Sequence, residues 1–449
     1  MGKSKTLRIG AGAGYSGDRI EPAIALAERG ALDYLVFECL AERTIADAQL
    51  RRREQPGAGF DPFLDARMRA VLAACRRNGT RIISNMGAAN VPAAAARVAA
   101  IAQEHGLPDL RIATILGDDV LDICLAGDVM LDNGQNIGAL GDRLISANAY
   151  IGAAPIAAAL AAGAEVVLTG RVSDPALFLG PLVHEFRWGM DDWDILGKGT
   201  LVGHLLECAG QLCGGYFADP GCKDVPDMAH LGFPIAEVDE TGEARFSKLS
   251  GTGGRIDVAT ASEQVLYEIH DPGRYFQPDV IADFSRVEIE QLGEDSIAVR
   301  GATGAPRSGK LKVSVSYHDG YIGEGQISYA GPGAVARGRL AIDILRERLS
   351  EIPQLGQAHF SLIGLDALHG ARLSQGTEPY EVRVRVLARA ADQAVAAKVG
   401  QEVEALYTNG PAGGGGAMKL VRAGIGLASA TIAESLAHPR FEMWEGVRS

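Results

Sequence analysis

Acidic, amide and basic side chains that could move protons or bind an anion follow several short apolar runs of this chain. The runs are residues 7–9, 35–37, 82–83, 112–115 and 166–168. Carboxylates at such positions can exchange protons with a substrate, whereas amide and guanidinium groups bind carbonyl or carboxylate oxygens. In chain order, the candidates that follow these runs are Asp18, Arg19, Glu38, Asn85, Asn90, Asp118, Arg171, Ser173 and Asp174.

The apolar runs alternate with alanine-rich helical segments over residues 6–220. Such alternation predicts an α/β fold with a mostly parallel, doubly wound (Rossmann-like) sheet and helices on both of its faces. In a sheet of this kind the carboxyl ends of the strands share one edge, and ligands bind there. We therefore expect the candidate side chains to converge on one site.

A glycine-rich loop, Gly12–Gly17, follows the first apolar run and precedes a predicted helix. It matches the G-x-G-x-x-G spacing of dinucleotide-binding loops, and Glu38 stands at the distance expected for the ribose ligand. Asp18 opposes this interpretation, because a carboxylate at the start of the helix would repel a pyrophosphate. Two alternatives remain: a tight turn in which Asp18 only caps the helix, or a substrate loop in which Asp18 and Arg19 take part. We favour the substrate loop.

A second stretch with candidate chemistry spans residues 248–279. Arg255 lies there in a glycine-rich loop that opens a predicted helix, so it could bind an anion together with the helix N-terminus. His270 stands beside Asp271, and the two are the strongest acid–base pair that the sequence offers. The alternative for His270 is a structural role, as a capped histidine in a turn before Asp271-Pro272-Gly273.

A run of four glycines near the end of the chain precedes a predicted helix. The run is no Walker A loop, because the Gly-Lys-Ser/Thr sequence is missing. Consecutive glycines are costly in backbone entropy, so backbone N–H groups that cradle an oxyanion or phosphate are favoured over a plain linker. The residues predicted to form this anion loop are Asn409, Gly413, Gly414, Gly415, Gly416 and Lys419.

A change of pattern divides the chain into two predicted domains. Tryptophan, proline and glycine interrupt the pattern over residues 184–234, and beyond residue 280 hydrophobic residues alternate with period two, as in antiparallel strands. Residues 318–320, His-Asp-Gly, are typical of a hairpin turn. We predict a parallel α/β domain over residues 1–225 and an α+β domain with the glycine-rich anion loop over residues 226–449.

Composition and charge exclude several classes of protein. A formal charge of −13 without a basic stripe argues against nucleic acid and against an anionic membrane surface as partners. No apolar run is long enough to span a membrane. The six cysteines form no C-x-x-C pair, and no metal site is predicted. The N-terminus shows no signal region, so we expect a cytoplasmic homo-oligomer that acts on a small molecule.

Four segments taken together, residues 10–19, 33–44, 85–90 and 410–416, resemble the acyclic terpene utilisation (AtuA) family. The resemblance spans nearly the whole chain. It implies bacterial catabolism of citronellol- and geraniol-like compounds or of related branched acids, whose intermediates travel as coenzyme A thioesters. It implies no settled reaction, and it suggests a small companion protein as a separate partner.

The leading hypothesis is a lyase or hydratase that acts on an acyl-CoA or a related carboxylate. Asp18, Glu38 and His270 are its predicted catalytic acid–base groups, and the other candidates bind the substrate. The sequence predicts no cofactor beyond coenzyme A as the carrier of the substrate. Two alternatives stay open: a non-catalytic subunit or partner of a biotin-dependent acyl-CoA carboxylase, and an NAD(P)-dependent oxidoreductase.

Overall fold

All five apolar runs form strands in the computed structural model, which describes residues 5–374 and 378–445. Within these residues the strands, in chain order, are Thr6–Ala13 (β1), Tyr34–Phe37 (β2), Arg81–Ser84 (β3), Ile112–Leu116 (β4), Leu144–Ala149 (β5), Val166–Thr169 (β6), Pro234–Asp239 (β7), Ala244–Lys248 (β8), Tyr275–Phe276 (β9), Ile281–Asp283 (β10), Glu288–Gly293 (β11), Ser296–Arg300 (β12), Thr303–Ala305 (β13), Lys310–Ala330 (β14), His359–Ile363 (β15), Glu381–Ala390 (β16), Gly415–Ala433 (β17) and Arg440–Met443 (β18). The helices are Glu21–Arg29 (α1), Glu42–Glu54 (α2), Leu64–Asn78 (α3), Val91–Glu104 (α4), Leu121–Ala126 (α5), Ala154–Ala161 (α6), Ala176–Phe186 (α7), Trp193–Leu206 (α8), Val258–Leu266 (α9), Ala334–Ser350 (α10), Gly370–Leu373 (α11) and Gln393–Asn409 (α12).

The chain divides into two units that differ from the predicted domains. Unit 1 comprises Met1–Gly141, Ile145–Val315 and Leu427–Ser449, and unit 2 comprises Asp142–Leu144 and Ser316–Gly426. The predicted boundary between residues 225 and 226 falls inside unit 1. The reason is that β7, which follows this point, pairs with β1, and β8 then pairs with β7.

Unit 1 contains a ten-stranded mixed sheet in the order β11-β12-β8-β7-β1-β2-β3-β6-β4-β18. Strands β1, β2, β3, β6 and β4 run parallel to one another. Antiparallel strands extend the sheet on both sides, with β7, β8, β12 and β11 beyond β1 and with β18 beyond β4. The predicted α/β class is confirmed, and the sheet as a whole is mixed rather than mostly parallel.

The parallel strands are buried on both faces, as their unbroken apolar sequence predicts. Every residue of β2 and β6 is buried, and Leu35, Ile83 and Val167 are fully enclosed. Helices α1, α3 and α4 pack side by side, and so do α6, α7 and α8; members of both groups contact the same strands. Each large apolar side chain buried in this way contributes about 1.5–3 kcal/mol to stability.

Unit 2 contains a sheet in the order β15-β16-β14-β17, in which β14, β15 and β16 pair antiparallel. Alternate residues of β16, such as Val384 and Val386, share a core with Leu345 of α10 and Val403 of α12. The period-two pattern therefore describes this sheet correctly. In contrast, β14 runs unbroken through residues 318–320, so the hairpin turn predicted there is wrong.

Candidate functional site

The carboxyl ends of β1, β2 and β6 border a groove in unit 1 that consists of two adjoining cavities. The first has a volume of about 680 Å³, and we call it the acidic cavity after its carboxylates, Asp18, Glu38, Asp174, Glu207 and Glu268. The second, about 940 Å³, is called the basic cavity after Arg43, Arg171, Lys310 and Lys312. Because Asp174 and Glu268 border both cavities, one elongated ligand could contact both sets of charges.

The loop after β1 closes on its own carboxylate. Asp18 accepts hydrogen bonds from the backbone N–H groups of Gly14, at 2.9 Å, and Arg19, at 3.0 Å, and burial raises the pKa of its carboxyl. A Cβ at Gly14 would clash with the carbonyl group of Cys208, so this close approach requires glycine. Helix α1 is preceded by Ile20 without a side-chain cap, so Asp18 is not the helix cap of the second interpretation.

Arg67, on α3, is hydrogen-bonded to the backbone of the same loop. Its side chain is fully buried, and Nη2 donates to the carbonyl oxygens of Ser16, at 2.9 Å, and Asp18, at 3.1 Å. Nη1 lies 3.6 Å from the Asp61 carboxylate, which is itself only 4% exposed. One buried cation therefore fixes the backbone that presents Asp18 to the acidic cavity.

Glu38 is the most constrained carboxylate of the acidic cavity. Its Oε1 accepts hydrogen bonds from the Asn85 side-chain amide at 2.8 Å and from the Leu40 N–H at 2.9 Å. Asn85 in turn accepts from the Cys39 N–H at 2.7 Å, so the predicted carbonyl donor serves to position Glu38. Burial first, and then the negative charge of Asp174, raise the pKa of Glu38 well above its ordinary value.

Arg171 follows β6, lines the basic cavity and pairs with Asp174, which borders both cavities. Its Nη2 donates to Asp174 at 2.7 Å, and its guanidinium stacks on the Tyr150 ring with Cζ 4.1 Å from the centroid. The side chain is 2% exposed, yet Nε and Nη1 have no hydrogen-bond partner among the described residues. Buried donors without partners cost about 1–3 kcal/mol each, so this arrangement favours a ligand oxygen beside Arg171.

Lys312 adds a second cation to the basic cavity. Its Nζ lies 2.7 Å from Glu42 and 4.9 Å from the centroid of the Tyr150 ring. Tyr150 donates its hydroxyl hydrogen to Glu42 at 3.0 Å. Partial burial alone would raise the pKa of Glu42, but the hydrogen bond from Lys312 and its positive charge lower it below the ordinary value. The two cations thus flank one aromatic ring on a wall of the groove.

Asp118, after β4, is hydrogen-bonded to the backbone of Arg171. Its Oδ2 accepts from the Arg171 N–H and from the Asn148 side chain, both at 2.9 Å, and a Cβ at Gly170 would come within 2.6 Å of its carboxylate. Burial raises the pKa of Asp118 from 3.8 to about 6. This predicted substrate ligand therefore positions the loop that carries Arg171, and it does not line either cavity.

We expect Asp118→Asn to stabilise unit 1 at alkaline pH and not in acid. The folded state holds the Asp118 proton up to pH about 6, whereas the unfolded chain loses it near 3.8. Wild-type stability therefore falls as pH rises through this window, by up to about 3 kcal/mol, and asparagine removes that loss. Denaturant unfolding of the wild type and the variant at about pH 4 and pH 8 measures the difference in their unfolding free energies. An identical difference at both pH values would contradict the prediction.

His204 and Glu207 form a buried pair at the end of α8. Nδ1 of His204 lies 2.8 Å from Oε1 of Glu207, and the two residues are 1% and 7% exposed. The charge of Glu207 raises the pKa of His204 against the effect of burial, and burial raises the pKa of Glu207 to about 7. The predicted sites did not include this pair, although His and Glu three apart at a helix end were visible in the sequence.

Comparison with protein-family models identifies the relatives of this chain. The model of the acyclic terpene utilisation family protein AtuA matches residues 7–443. The chain belongs to the AtuA family. No curated protein and no solved structure shows a significant match. Family membership confirms the predicted resemblance and links the chain to acyclic terpene utilisation.

Several predicted residues of the AtuA-family chain are hydrogen-bonded to other groups of the protein. Asn90 caps α4 through Ala93 at 3.4 Å, and its amide donates to the carbonyl oxygens of residues 56 and 58 at 2.9 and 2.7 Å. Arg19 donates to two carbonyl oxygens, at 3.2 and 2.8 Å, and lines the acidic cavity. Ser173 lines the basic cavity, and its hydroxyl is hydrogen-bonded to Gln277.

Arg255 and His270 of the AtuA-family chain occupy different surroundings. Arg255 pairs with Asp257 and borders an open depression beside Phe217. His270 is exposed and lines the basic cavity. Its predicted partner Asp271 accepts from the Gly273 N–H at 3.0 Å, and the described residues show no hydrogen bond between His270 and Asp271. The His–Asp pair inferred from adjacency is therefore not formed in this structure.

The four-glycine run lies in unit 2, and strand β17 begins within it, so the helix predicted to follow the run is wrong. Arginines donate to one carbonyl group of the run and to the carbonyl group just before it. Arg337 donates to the Ala412 oxygen at 2.9 Å, and Arg383 donates to the Gly416 oxygen at 3.2 Å. Gly413 and Gly416 have φ angles of 72° and 63°, which favour glycine. Asn409 closes the last turn of α12, and Lys419 pairs with Glu404 at 2.6 Å. The anion cradle of Gly413, Gly414, Gly415 and Gly416 stays a prediction.

No group of three or more His, Cys, Asp and Glu side chains in residues 5–374 and 378–445 could hold a metal ion. No helix in the same ranges is both long and apolar enough to cross a membrane.

Proposed function

We propose that this chain is a catabolic enzyme of acyclic terpenoid or branched-acid degradation, a lyase or hydratase that acts on an acyl-CoA or related carboxylate. The observation that carries the proposal is the cluster of Glu38, Asp174 and Arg171. Two carboxylates with raised pKa values share the field of one buried guanidinium, of which two nitrogen atoms have no partner in the part of the chain that the structure describes. Such clusters concentrate at catalytic sites.

The chemistry begins with removal of a proton next to a carbonyl group. Oε1 of Glu38 is occupied by Asn85 and Leu40, which leaves Oε2 to accept the substrate proton. A raised pKa makes this carboxylate a stronger base than an ordinary glutamate. The negative charge of Asp174 contributes to the raised pKa of Glu38, so the protonation states of the two carboxyl groups depend on each other.

Arg171 stabilises the negative charge that develops on the carbonyl oxygen. Its Nε and Nη1 are buried, unpartnered and fixed by stacking on Tyr150, so they need no reorganisation during the reaction. Arg171 and Lys312 also suit a carboxylate or phosphate group of the substrate. The Gly12–Gly17 loop gives less support to an NAD(P) site, because Asp18 binds the N–H group of Gly14 in the loop and that of Arg19 at the start of the following helix region.

The test combines ligand binding with proton exchange. Branched acyl-CoA thioesters and the corresponding free acids should raise the unfolding free energy by about 2.7 kcal/mol at 100 times their Kd, and in D₂O their α-hydrogens should exchange. Arg171→Met should abolish both effects because the oxygen loses its donors, whereas exposed Arg245→Met on β8 should change neither. Mass spectrometry follows deuterium uptake.

Two outcomes would overturn the proposal. Unchanged binding and exchange in Arg171→Met would show that the ligand does not use this cluster. Absence of exchange with every thioester and acid, together with recovery of a biotin-dependent carboxylase bound to the wild-type chain, would instead favour a non-catalytic subunit.

A further inference from the structure

Glu207 brings to the acidic cavity a carboxyl group that the proposed proton abstraction does not use. It follows the last residue of α8 and lines the cavity together with Glu38 and Asp174. Its Oε1 is held by Nδ1 of His204 at 2.8 Å. Oε2 of Glu207 and Nε2 of His204 are buried and have no partner among the described residues. One oxygen is thus fixed and the other is left for a ligand.

The surroundings of Glu207 favour a bound proton on its carboxyl group. The groups that face Glu207 besides His204 are the carboxylates of Asp174 and Glu268, the Cys208 thiol and the Tyr275 hydroxyl. None of these brings a positive charge. The imidazole packs against the rings of Tyr275 and Phe284, with centroids 5.5 and 5.8 Å away, so its orientation is restricted. Burial without a further cation favours protonated Glu207 near neutral pH.

We propose that Glu207 is a second catalytic residue, which protonates the oxygen of a departing β-hydroxyl group, and that His204 positions it. The inference rests on the proposed function and names the substrate class as a branched 3-hydroxyacyl thioester or 3-hydroxy acid. Glu38 takes the α-proton, and the C–H electron pair passes to the carbonyl group to give an enolate, whose charge Arg171 stabilises. The enolate electrons then form the C=C bond between the α- and β-carbons, the carbonyl group re-forms, and the C–O bond of the β-hydroxyl group breaks. Its oxygen leaves as water with the proton of Glu207, and the two carboxyl groups then exchange protons with solvent. Hydration reverses these steps.

The other carboxylates of the acidic cavity are less suited to this role. Asp18 uses both oxygens to accept backbone N–H groups of its own loop. Glu268 is exposed, where water competes for its proton. Asp174 is bound to Arg171 at 2.7 Å, and this positive charge makes the carboxyl group a poorer proton donor. Glu207 alone among these four combines burial, an orienting partner and an unpartnered oxygen.

The experiment separates the two proton transfers. In the full chain, Glu207→Gln should retain α-hydrogen exchange of the 3-hydroxyacyl thioester in D₂O while its dehydration falls about 10²–10⁴-fold. Absorbance of the conjugated enoyl thioester follows dehydration, and mass spectrometry follows exchange. Exposed Glu54→Gln, at the end of α2, is the control and should change neither rate.

His204→Gln provides the second variant. Protonated His204 lowers the pKa of Glu207, so its removal should move the alkaline limb of the dehydration profile to higher pH with little change in exchange. If Glu207→Gln loses exchange and dehydration together, or neither, the inference is overturned. If Glu207→Gln does not fold, a pH profile of His204→Gln that equals the wild-type profile overturns the inference. Absence of exchange in the wild type refutes the proposed function itself.

Discussion

Glu38→Gln should lower the rate of α-hydrogen exchange about 10²–10⁴-fold, the effect expected for loss of a general base. Glutamine has the same shape and can still accept hydrogen bonds from Asn85 and Leu40 through Oε1, but it cannot take a proton. Ligand-induced stabilisation should therefore persist while exchange is lost. Deuterium uptake and thermal unfolding, measured on one preparation, distinguish the two.

The control for this substitution is Glu185→Gln. Glu185 lies outside the groove and pairs with Lys5 at 2.7 Å and with Tyr34 at 2.7 Å, so its substitution should leave exchange unchanged. In the wild type, exchange should rise with pH through the raised pKa of Glu38, because only the ionised carboxylate accepts a proton. Wild-type exchange in Glu38→Gln would remove Glu38 from the mechanism.

Arg67→Met should destabilise unit 1 by about 3–5 kcal/mol, the cost of breaking a buried ion pair by removing one partner. Arg67 is fully buried, and methionine would leave the Asp61 carboxylate, 3.6 Å away, without its cation. The carbonyl groups of Ser16 and Asp18 would also lose their donor. Denaturant unfolding measures the free-energy change, and weaker ligand-induced stabilisation should accompany it because the loop at Asp18 is released.

Arg69→Met is the matched control, since it stands two residues further along the same helix. Arg69 is exposed and pairs with Asp65 at 3.0 Å on the surface, where solvent screens the interaction. Its substitution should have a much smaller effect on unfolding. In Asp61→Asn, the further loss on changing Arg67 should shrink, because the two charges act as a pair. Equal effects of Arg67→Met and Arg69→Met would contradict a structural role for Arg67.

The strands that carry the candidate site could be predicted because their environment leaves a local signature. Residues 35–37 and 166–168 are apolar without interruption, since helices cover both faces of the sheet at β2 and β6. Parallel strands then place their carboxyl ends at one edge. For this reason Asp18, Glu38 and Asp174 could be grouped from their positions alone.

Predictions that depended on the partners of a residue succeeded less well. His270 and Asp271 are adjacent in sequence, but the Asp271 carboxylate accepts a backbone N–H of its own turn. The His-Asp-Gly sequence at residues 318–320 is a strong local turn signal, yet β14 continues through it and pairs with β16 from Tyr321 to Ala330. At residues 318–320 the pairing of distant strands outweighed a local turn preference, whereas Asp271 is engaged within its own turn.

The amino-acid sequence by itself determined the α/β class, the strand-end candidates and, through family motifs, the AtuA family to which the chain belongs. These properties follow from short-range periodicity and from motifs that can be identified within one segment. The tertiary structure decided which charges meet. Arg67 beneath the Asp18 loop and Lys312 beside Tyr150 are brought together across many residues of intervening chain. The residues next to them in sequence do not indicate these contacts, because the contacts depend on the packing of distant elements.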